Sequence, residues 1–387
     1  EAQNLIYASG PAACEKIALL LMEEVKQNLA VEEFTPDTEL IEFSEFVKEH
    51  IHSGYTLAAT LPYGVAFHYG NIPTLVRRTI EELFDAGKLK FLVCTSTLLH
   101  GINLPAKNLF MLNPTKGKNR NTGEDIPLSP VDFWNLAGRA GRLGRDFQGN
   151  VFLINIDNWL QNPLHGQKKQ MIIPSLSKNL LERFPDLISY IEDQHHPSGD
   201  TGLEGIESAF VKLYNDYKSG NLKNVISKIE GDKQQEIERK LIQAFTKIEP
   251  KIDVPKEILE KHISISPMRQ QEMLNYIIEK IENEGPERVI PVHPLVEWEI
   301  AVESLVRMFK RIHTRFMKIP GKDRRHYYFA PLALRWMRGD SLARLIEDAY
   351  NYRKKQMKRN TAPSINTVVR DVMDNIEQDL RFRYVKY

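Results

Sequence analysis

Short apolar runs bounded by polar turns recur through the first 165 residues: Asn4-Leu-Ile-Tyr-Ala8, Val65-Ala-Phe-His68, Phe91-Leu-Val-Cys-Thr95, Leu109 to Asn113 and Val151 to Ile156. Runs this short and this continuously apolar need cover on both faces, which is the mark of strands in a buried parallel sheet. Helical patterns alternate with them. Residues 1–165 are therefore expected to form an α/β domain, a parallel sheet with helices on both faces.

The helices announce themselves unevenly. Pro11 suits the first position of a helix, and Ile17, Leu20, Leu21 and Val25 then share one face. A second helix should begin near Pro73 and bury Val76, Ile80, Leu83 and Phe84. Ser129-Pro-Val-Asp132 reads as a helix start, with serine as cap, proline first and aspartate in the third position. That helix is expected to carry Asn135 to Arg142. The polar stretch Thr115-Lys-Gly-Lys-Asn-Arg-Asn-Thr-Gly123 reads as a loop, whose three cations suit either phosphate or solvent.

A chain of 387 residues accommodates two or three domains. Residues 166–290 show helical patterning with polar interruptions, including His195-His-Pro-Ser-Gly-Asp-Thr-Gly202, where no third ligand stands at metal spacing; no metal site is expected. Residues 291–387 form a second helical unit, with Trp298, Ile300, Val302 and Leu305, then Leu332, Leu334 and Trp336, as apolar positions. The final helix, capped by Ser364, aligns Ile365, Val368, Val369, Val372, Met373, Ile376 and Leu380. Its other face presents Asn366, Arg370, Gln378 and Arg381.

The net charge of +1 conceals an asymmetry. Residues 291–387 carry 20 Lys and Arg against 11 Asp and Glu, which leaves 32 against 40 in residues 1–290. A basic last quarter points to an anionic partner, with nucleic acid the commonest. The alternative is a solvated lysine-rich surface. Two cysteines, Cys14 and Cys94, lie far apart without paired spacing, and Cys94 sits in an apolar run. A buried thiol in a reducing, cytoplasmic compartment is expected. No apolar run approaches the roughly 20 residues that span a bilayer, and the first residues lack a signal segment. The strand begins almost at Glu1, so the chain reads as part of something longer.

Three blocks carry the chemistry: His68-Tyr-Gly-Asn-Ile-Pro-Thr-Leu-Val-Arg77, then Thr95-Ser-Thr-Leu-Leu-His-Gly-Ile-Asn-Leu-Pro-Ala106, then Asn135-Leu-Ala-Gly-Arg-Ala-Gly-Arg142. Their order and spacing, with Phe84-x-x-Gly87 between, resemble the second RecA-like domain of superfamily-two DExH helicases of the Ski type, over roughly residues 1–160. The resemblance implies that Arg139 and Arg142 are arginine fingers. Such residues neutralise charge on a transferred phosphoryl group when a neighbouring domain closes. It also implies that Gly101, Asn103, Asn135 and Gly138 face ATP, and that Thr95 and Ser96 touch the nucleic-acid backbone. Ser9 and Gly10 match a further backbone-contacting turn, and His68 and Arg77 match the motif between them. Such contacts position a strand without reading its sequence. Glycines at 138 and 141 keep the surface low for an approaching domain.

Two departures from that family stand out. Asn135 occupies a position where Gln or His is usual, which shortens the reach to the opposite domain. No Gly-x-x-x-x-Gly-Lys-Ser/Thr loop and no Asp-Glu-x-His quartet occurs in the chain. ATP and Mg²⁺ would then be held mainly by a first RecA-like domain, in the same polypeptide or in a partner chain. The resemblance further implies a winged-helix-like connector over 166–290 and a basic nucleic-acid-binding bundle over 291–387. Candidate strand contacts there are Arg370, Arg381-Phe-Arg-Tyr384, Arg335-Trp-Met-Arg338 and Arg324-Arg-His-Tyr-Tyr328. The expected protein is the C-terminal half of an ATP-dependent helicase acting on single-stranded DNA or RNA. The rival is a non-catalytic binding scaffold or one subunit of a split helicase.

Overall fold

The computed structural model describes residues 2–28, 35–96, 106–112, 114–118, 122–141, 148–165, 175–193, 203–228, 233–317, 323–357 and 362–386. Contacts gather into two compact units, Glu1–Gln170 with Arg335–Arg381, and Met171–Leu334 with Phe382–Tyr387. This division differs from the three consecutive blocks expected over 1–165, 166–290 and 291–387. The reason is long-range pairing: residues of the final helix bond to the sheet unit, as described below, and sequence periodicity carries no signal for that.

The sheet unit begins with β1 (Asn4–Tyr7), α1 (Pro11–Asn28), α2 (Thr38–His50) and α3 (Thr56–Thr60). It continues with β2 (Val65–His68), α4 (Thr74–Asp85), β3 (Phe91–Cys94), β4 (Asn108–Leu112), β5 (Thr115–Lys118), β6 (Asp125–Pro127), α5 (Pro130–Ala137) and β7 (Asn150–Ile154). Among the described residues the main sheet has the order β2-β3-β1-β4-β7, every pairing parallel. The expected fold class is therefore observed. Leu5, Phe67, Leu92, Val93 and Leu109 are fully buried, as strands covered on both faces require.

Local chemistry explains most of the boundaries. Gly64 takes a left-handed conformation (φ 69°) before β2, and its carbonyl accepts the Lys90 amide at 2.8 Å. Pro73 precedes α4, and Val76, Ile80, Leu83 and Phe84 are its buried residues, the stripe read from the sequence. On α1 the buried residues are instead Cys14, Glu15, Ala18 and Met22. Leu20 is 61% exposed. The expected stripe was rotated because small residues at 14 and 18, not the leucines, face the sheet.

Two further expectations are corrected. Residues 115–123 are not simply a loop: β5 and β6 pair antiparallel, with Thr115 opposite Pro127 and Lys118 opposite Asp125. Leu128 N–H bonds the Pro114 carbonyl at 3.0 Å, and Lys116 forms an ion pair with Asp132, so one of the three cations has an internal role. The helix opened by Ser129, whose hydroxyl accepts the Asp132 amide at 3.2 Å, stops at Ala137, with Gly138 as its C-cap. Arg139 thus lies beyond the helix. Ala140 forms a parallel bridge to Ala106 and Gly141 has φ 98°, a conformation that ends helical geometry.

The remaining chain is mostly helical. In the helical unit α6 (Ser175–Glu182), α7 (Phe184–Asp193), α8 (Leu203–Lys218), α9 (Leu222–Ile226), α10 (Gln234–Ile248) and α11 (Lys256–Lys261) share a core that includes Leu187, Ile191, Phe210, Leu213, Leu241 and Phe245. α12 (Pro267–Glu284), α13 (Pro286–Val289) and α14 (Trp298–Arg311) follow. Glu207 accepts Ser266 N–H at 3.1 Å and Arg269 through both oxygens at 3.1 Å. Beyond α15 (His326–Met337), α16 (Leu342–Gln356) and α17 (Ile365–Asp374), a π-helical stretch runs from Asn375 to Tyr384. Val368, Val369, Val372, Met373, Ile376 and Leu380 are buried as expected, whereas Trp298, Ile300 and Trp336 are exposed.

Candidate functional site

Parallel pairing in register brings three distant turns to one edge of the sheet. Tyr7 pairs with Cys94, and Cys94 pairs with His68. The ladder extends one step further: Ala8 N–H bonds the Cys94 carbonyl at 2.7 Å and Thr95 N–H bonds the His68 carbonyl at 3.2 Å. Ser9 and Gly10, Thr95 and Ser96, and Tyr69 and Gly70 therefore leave three adjacent strands at the same level. Carboxyl ends of strands are where open α/β sheets place their ligands.

The groups in this row differ in availability. Ser9 and Gly70 are exposed, Ser96 is half-buried, and Thr95 is buried. A Cβ at Gly10 would meet nothing within 4 Å, so a ligand backbone has room to approach there. Behind the row, the Tyr7 hydroxyl donates to the Thr115 carbonyl at 2.8 Å, tying the β5–β6 hairpin to β1. Burial pushes the Tyr7 phenol well above its usual range, and the Ser96 hydroxyl bonded to it works the other way.

His68 does not present its ring to the edge. It is fully buried, and its Nε2 lies 2.9 Å from Glu81 Oε1. Burial holds the imidazole below its ordinary pKa, although Glu81 pulls it upward. Arg77 is bound into the same group, with Nε 3.9 Å from Glu81 Oε1 and a long contact of 3.5 Å from its guanidinium to the Gly70 carbonyl. The pair thus braces the turn after β2 from beneath, and the exposed element there is Gly70.

Arg139 stands on a rigid scaffold. Its carbonyl accepts Ala106 N–H at 3.1 Å, and Gly141 N–H bonds the Ala106 carbonyl at 2.7 Å. The backbones of Ala140 and Gly141 lie so close to Gly149 that a Cβ at 149 would fall 2.1 Å from the Ala140 carbonyl carbon. Gly141 therefore serves an internal close approach, where the sequence reading gave it only an open surface. Burial lowers the Arg139 pKa while Cys94 raises it, and the Cys94 thiol, driven far up by its own burial, is drawn down by Arg139. The guanidinium is thus felt at the end of β3. Asn135 and Gly138 are exposed at the end of α5. Gly101, Asn103 and Arg142 lie outside the described residues, as do His195 and His196.

The C-terminal candidates divide. Arg370 forms an ion pair with Glu15, and its other amino group reaches Thr367 Oγ1 at 3.1 Å. Its guanidinium is committed to the fold and does not lie on an open face. Asn366 is likewise internal, bonded to Thr56 N–H at 3.1 Å and to the Thr56 hydroxyl at 2.6 Å. Arg381 is exposed and paired with Glu377 one turn back at 2.8 Å. Tyr384 is buried, stacked on Phe309 with centroids 4.2 Å apart, and its hydroxyl lies 3.2 Å from His313 Nδ1. It is a core residue and not a base-stacking platform; Phe382 beside it is exposed. Arg335 pairs with Asp340 and Asp348, both at 2.6 Å. In the third candidate, His326 is buried while Tyr327 and Tyr328 are exposed.

Among the described residues no group of three or more His, Cys, Asp or Glu is placed to hold a metal ion, and no helix is long and apolar enough to cross a membrane. The parallel sheet, its flanking helices and the aligned strand-end turns define a RecA-like α/β domain.

Residues 20–144 match the helicase conserved C-terminal domain. The chain is 31% identical over 110 residues to "Anti-bacteriophage protein B" of Escherichia coli (strain K12), a match covering 28% of this chain and 14% of that protein. It is 37% identical over 119 residues to the "DExH-box ATP-dependent RNA helicase DExH13" of Arabidopsis thaliana, covering 31% of this chain and 5% of the relative. To "Helicase POLQ-like" of Drosophila melanogaster it is 30% identical over 178 residues, 45% of this chain and 16% of the relative. The matched stretches are thus small parts of these relatives. They support a superfamily-two helicase C-terminal domain within this chain.

The sequence blocks pointed to the strand ends. Glu15, Tyr69, Asn71 and Asp374 were missed, because their importance comes from contacts across 14 to 355 positions of chain, and Gly149 because its close approach to Ala140 and Gly141 leaves no mark in the sequence.

Proposed function

We propose that the chain supplies the C-terminal motor half of an ATP-dependent helicase or translocase of the Ski type that moves along single-stranded DNA or RNA. The observation that carries this reading is the alignment of Ser9-Gly10, Gly70 and Thr95-Ser96 on one strand-end edge, with Arg139 fixed on the adjoining Ala106–Ala140 bridge. The exposed Ser9 hydroxyl and the open backbone at Gly10 and Gly70 suit phosphodiester contacts, which set position and not sequence. The relatives bearing helicase names support the same reading.

Arg139, whose backbone is fixed beside Ala106, fits a domain that contributes charge neutralisation to a nucleotide bound elsewhere. When bound, ATP with Mg²⁺ supplies the phosphoryl group to be transferred. Arg139 and Arg142 neutralise charge on that group as the domains close, and Asn135 and Gly138 flank them. Gly101 and Asn103 belong to the same face in this reading. Coupling of closure to strand movement follows, because the strand contacts and the finger belong to one compact unit. Arg381, exposed on the last helix, adds a further backbone contact.

The test is ATP hydrolysis by the intact polypeptide with and without single-stranded DNA and RNA. Strand-dependent stimulation that weakens as salt rises is expected, since phosphate contacts release counterions. No hydrolysis by the intact polypeptide, with strand binding retained, would favour the scaffold reading. Hydrolysis that appears only on mixing with a separate chain bearing a phosphate-binding loop would favour a split enzyme.

A further inference from the structure

The turn after β2 is held from above by polar contacts that no motif accounts for. Glu15, on α1, is 3% exposed and accepts the Tyr69 hydroxyl at 2.8 Å. Tyr55, fully buried, has its hydroxyl 2.8 Å from that of Tyr69. Arg370 of α17 closes this buried chain by pairing with the second oxygen of Glu15. One turn further along α17, Asp374 accepts the side-chain amide of Asn71. At the start of the helix, Asn366 bonds both the backbone and the hydroxyl of Thr56. The three ties fall at positions 366, 370 and 374, four residues apart, so they occupy one helical face. One of them grips Asn71 directly and another reaches Tyr69 through Glu15, so both residues that flank Gly70 are tied to α17.

We propose that α17 is a positioning strut for the Tyr69-Gly70-Asn71 turn, with Arg370 and Asp374 as positioning residues that hold the turn at the strand-binding edge. Arg370 acts through Glu15 and Tyr69, and Asp374 acts through Asn71; neither touches the nucleic acid. The assignment of the edge rests on the function proposed above. The physical case is that an ion pair and hydrogen bonds removed from water fix geometry more firmly than exposed ones. Gly70, the exposed residue of this turn, has no side chain of its own to anchor it, so its position depends on its two neighbours and on the brace beneath. Burial and the neighbouring Asp371 and Asp379 raise the Asp374 pKa, against Arg370. An amide at 374 keeps the acceptor for Asn71 without that charge.

The experiment uses the intact protein with the variants Asn71→Ala, Asp374→Ala, Asp374→Asn, Arg370→Glu, and the swap Glu15→Arg with Arg370→Glu. Two readouts are taken: hydrogen exchange at the amides of residues 69–72, and the single-strand concentration that half-maximally stimulates ATP hydrolysis. Asn71→Ala and Asp374→Ala should speed exchange and raise that concentration by roughly tenfold, the fold-change of one hydrogen bond to a charged group, with kcat held. Asp374→Asn should restore both. The swap should recover what Arg370→Glu loses.

Folded Asn71→Ala and Asp374→Ala variants with wild-type exchange at 69–72 would overturn the proposal. So would a folded swap variant that stays as defective in strand response as Arg370→Glu, because Arg370 would then be a direct strand contact. Exchange is read without turnover. A wild-type protein lacking strand-stimulated hydrolysis would therefore defeat the proposed function, while exchange still decides whether α17 positions the turn.

Discussion

Gly149→Ala is expected to dislodge the backbone that carries Arg139. A methyl carbon at 149 would lie 2.1 Å from the Ala140 carbonyl carbon, 2.2 Å from Gly141 N and 2.3 Å from the Ala140 oxygen. Favourable contact needs about 3.5–4.0 Å, and backbone atoms have no rotamer by which to retreat. The bridge must open by more than an ångström, which breaks Gly141 N–H to Ala106 O at 2.7 Å and Ala106 N–H to Arg139 O at 3.1 Å. Two net hydrogen bonds contribute about 1–3 kcal/mol, and overpacking of a close contact adds a similar amount. A destabilisation of roughly 2–6 kcal/mol follows. For a unit of this size that lowers Tm by about 4–24 °C. Gly10→Ala, with open space around the new methyl and no left-handed backbone, is the control and should stay within about 0.5 kcal/mol. Urea denaturation of both variants gives the difference. Equal midpoints would refute the close-approach argument, and with it the rigid placement of Arg139.

Two other outcomes follow from burial. His68 is neutral in the fold, its pKa lowered by burial, while the unfolded chain gains that proton below about pH 6.5. Its contribution is therefore fully present above about pH 6.5 and is lost as pH falls through the depressed folded value. Wild type should lose more stability between about pH 7 and pH 5 than His68→Gln does; parallel denaturation curves would contradict this. Burial also drives the Cys14 and Cys94 thiols far above their usual range. At about pH 8 an alkylating reagent should spare both in the native protein and label both after denaturation. Native labelling of either, seen by mass spectrometry, would show that the strand or helix carrying it is open.

The strands of the sheet were legible because continuous apolar runs have few other uses, and the α4 stripe because four large side chains repeat at helical spacing. Legibility failed where small residues do the packing. On α1 the leucines drew attention, but Cys14 and Ala18 allow the close approach to the sheet. It also failed where charge hides a strand, since Lys116 and Lys118 conceal the alternation of β5. The apolar stripe of the last helix was clear, yet Asn366 and Arg370 read as an open polar face because their partners lie some 300 residues away. At the candidate site, the motif blocks fall on the ends of adjacent strands. They did not show that His68 and Arg77 brace the turn through Glu81, nor that Gly141 is held against Gly149.

The central claim is that Arg139 completes a nucleotide site formed with another domain. Single-turnover ATP hydrolysis by the intact protein, saturated with single-stranded nucleic acid, tests it most directly when wild type is compared with Arg139→Ala. The account predicts a rate lower by roughly 10³ or more, with ATP affinity and thermal stability close to wild type. A variant that binds the strand and hydrolyses ATP at the wild-type rate would contradict it.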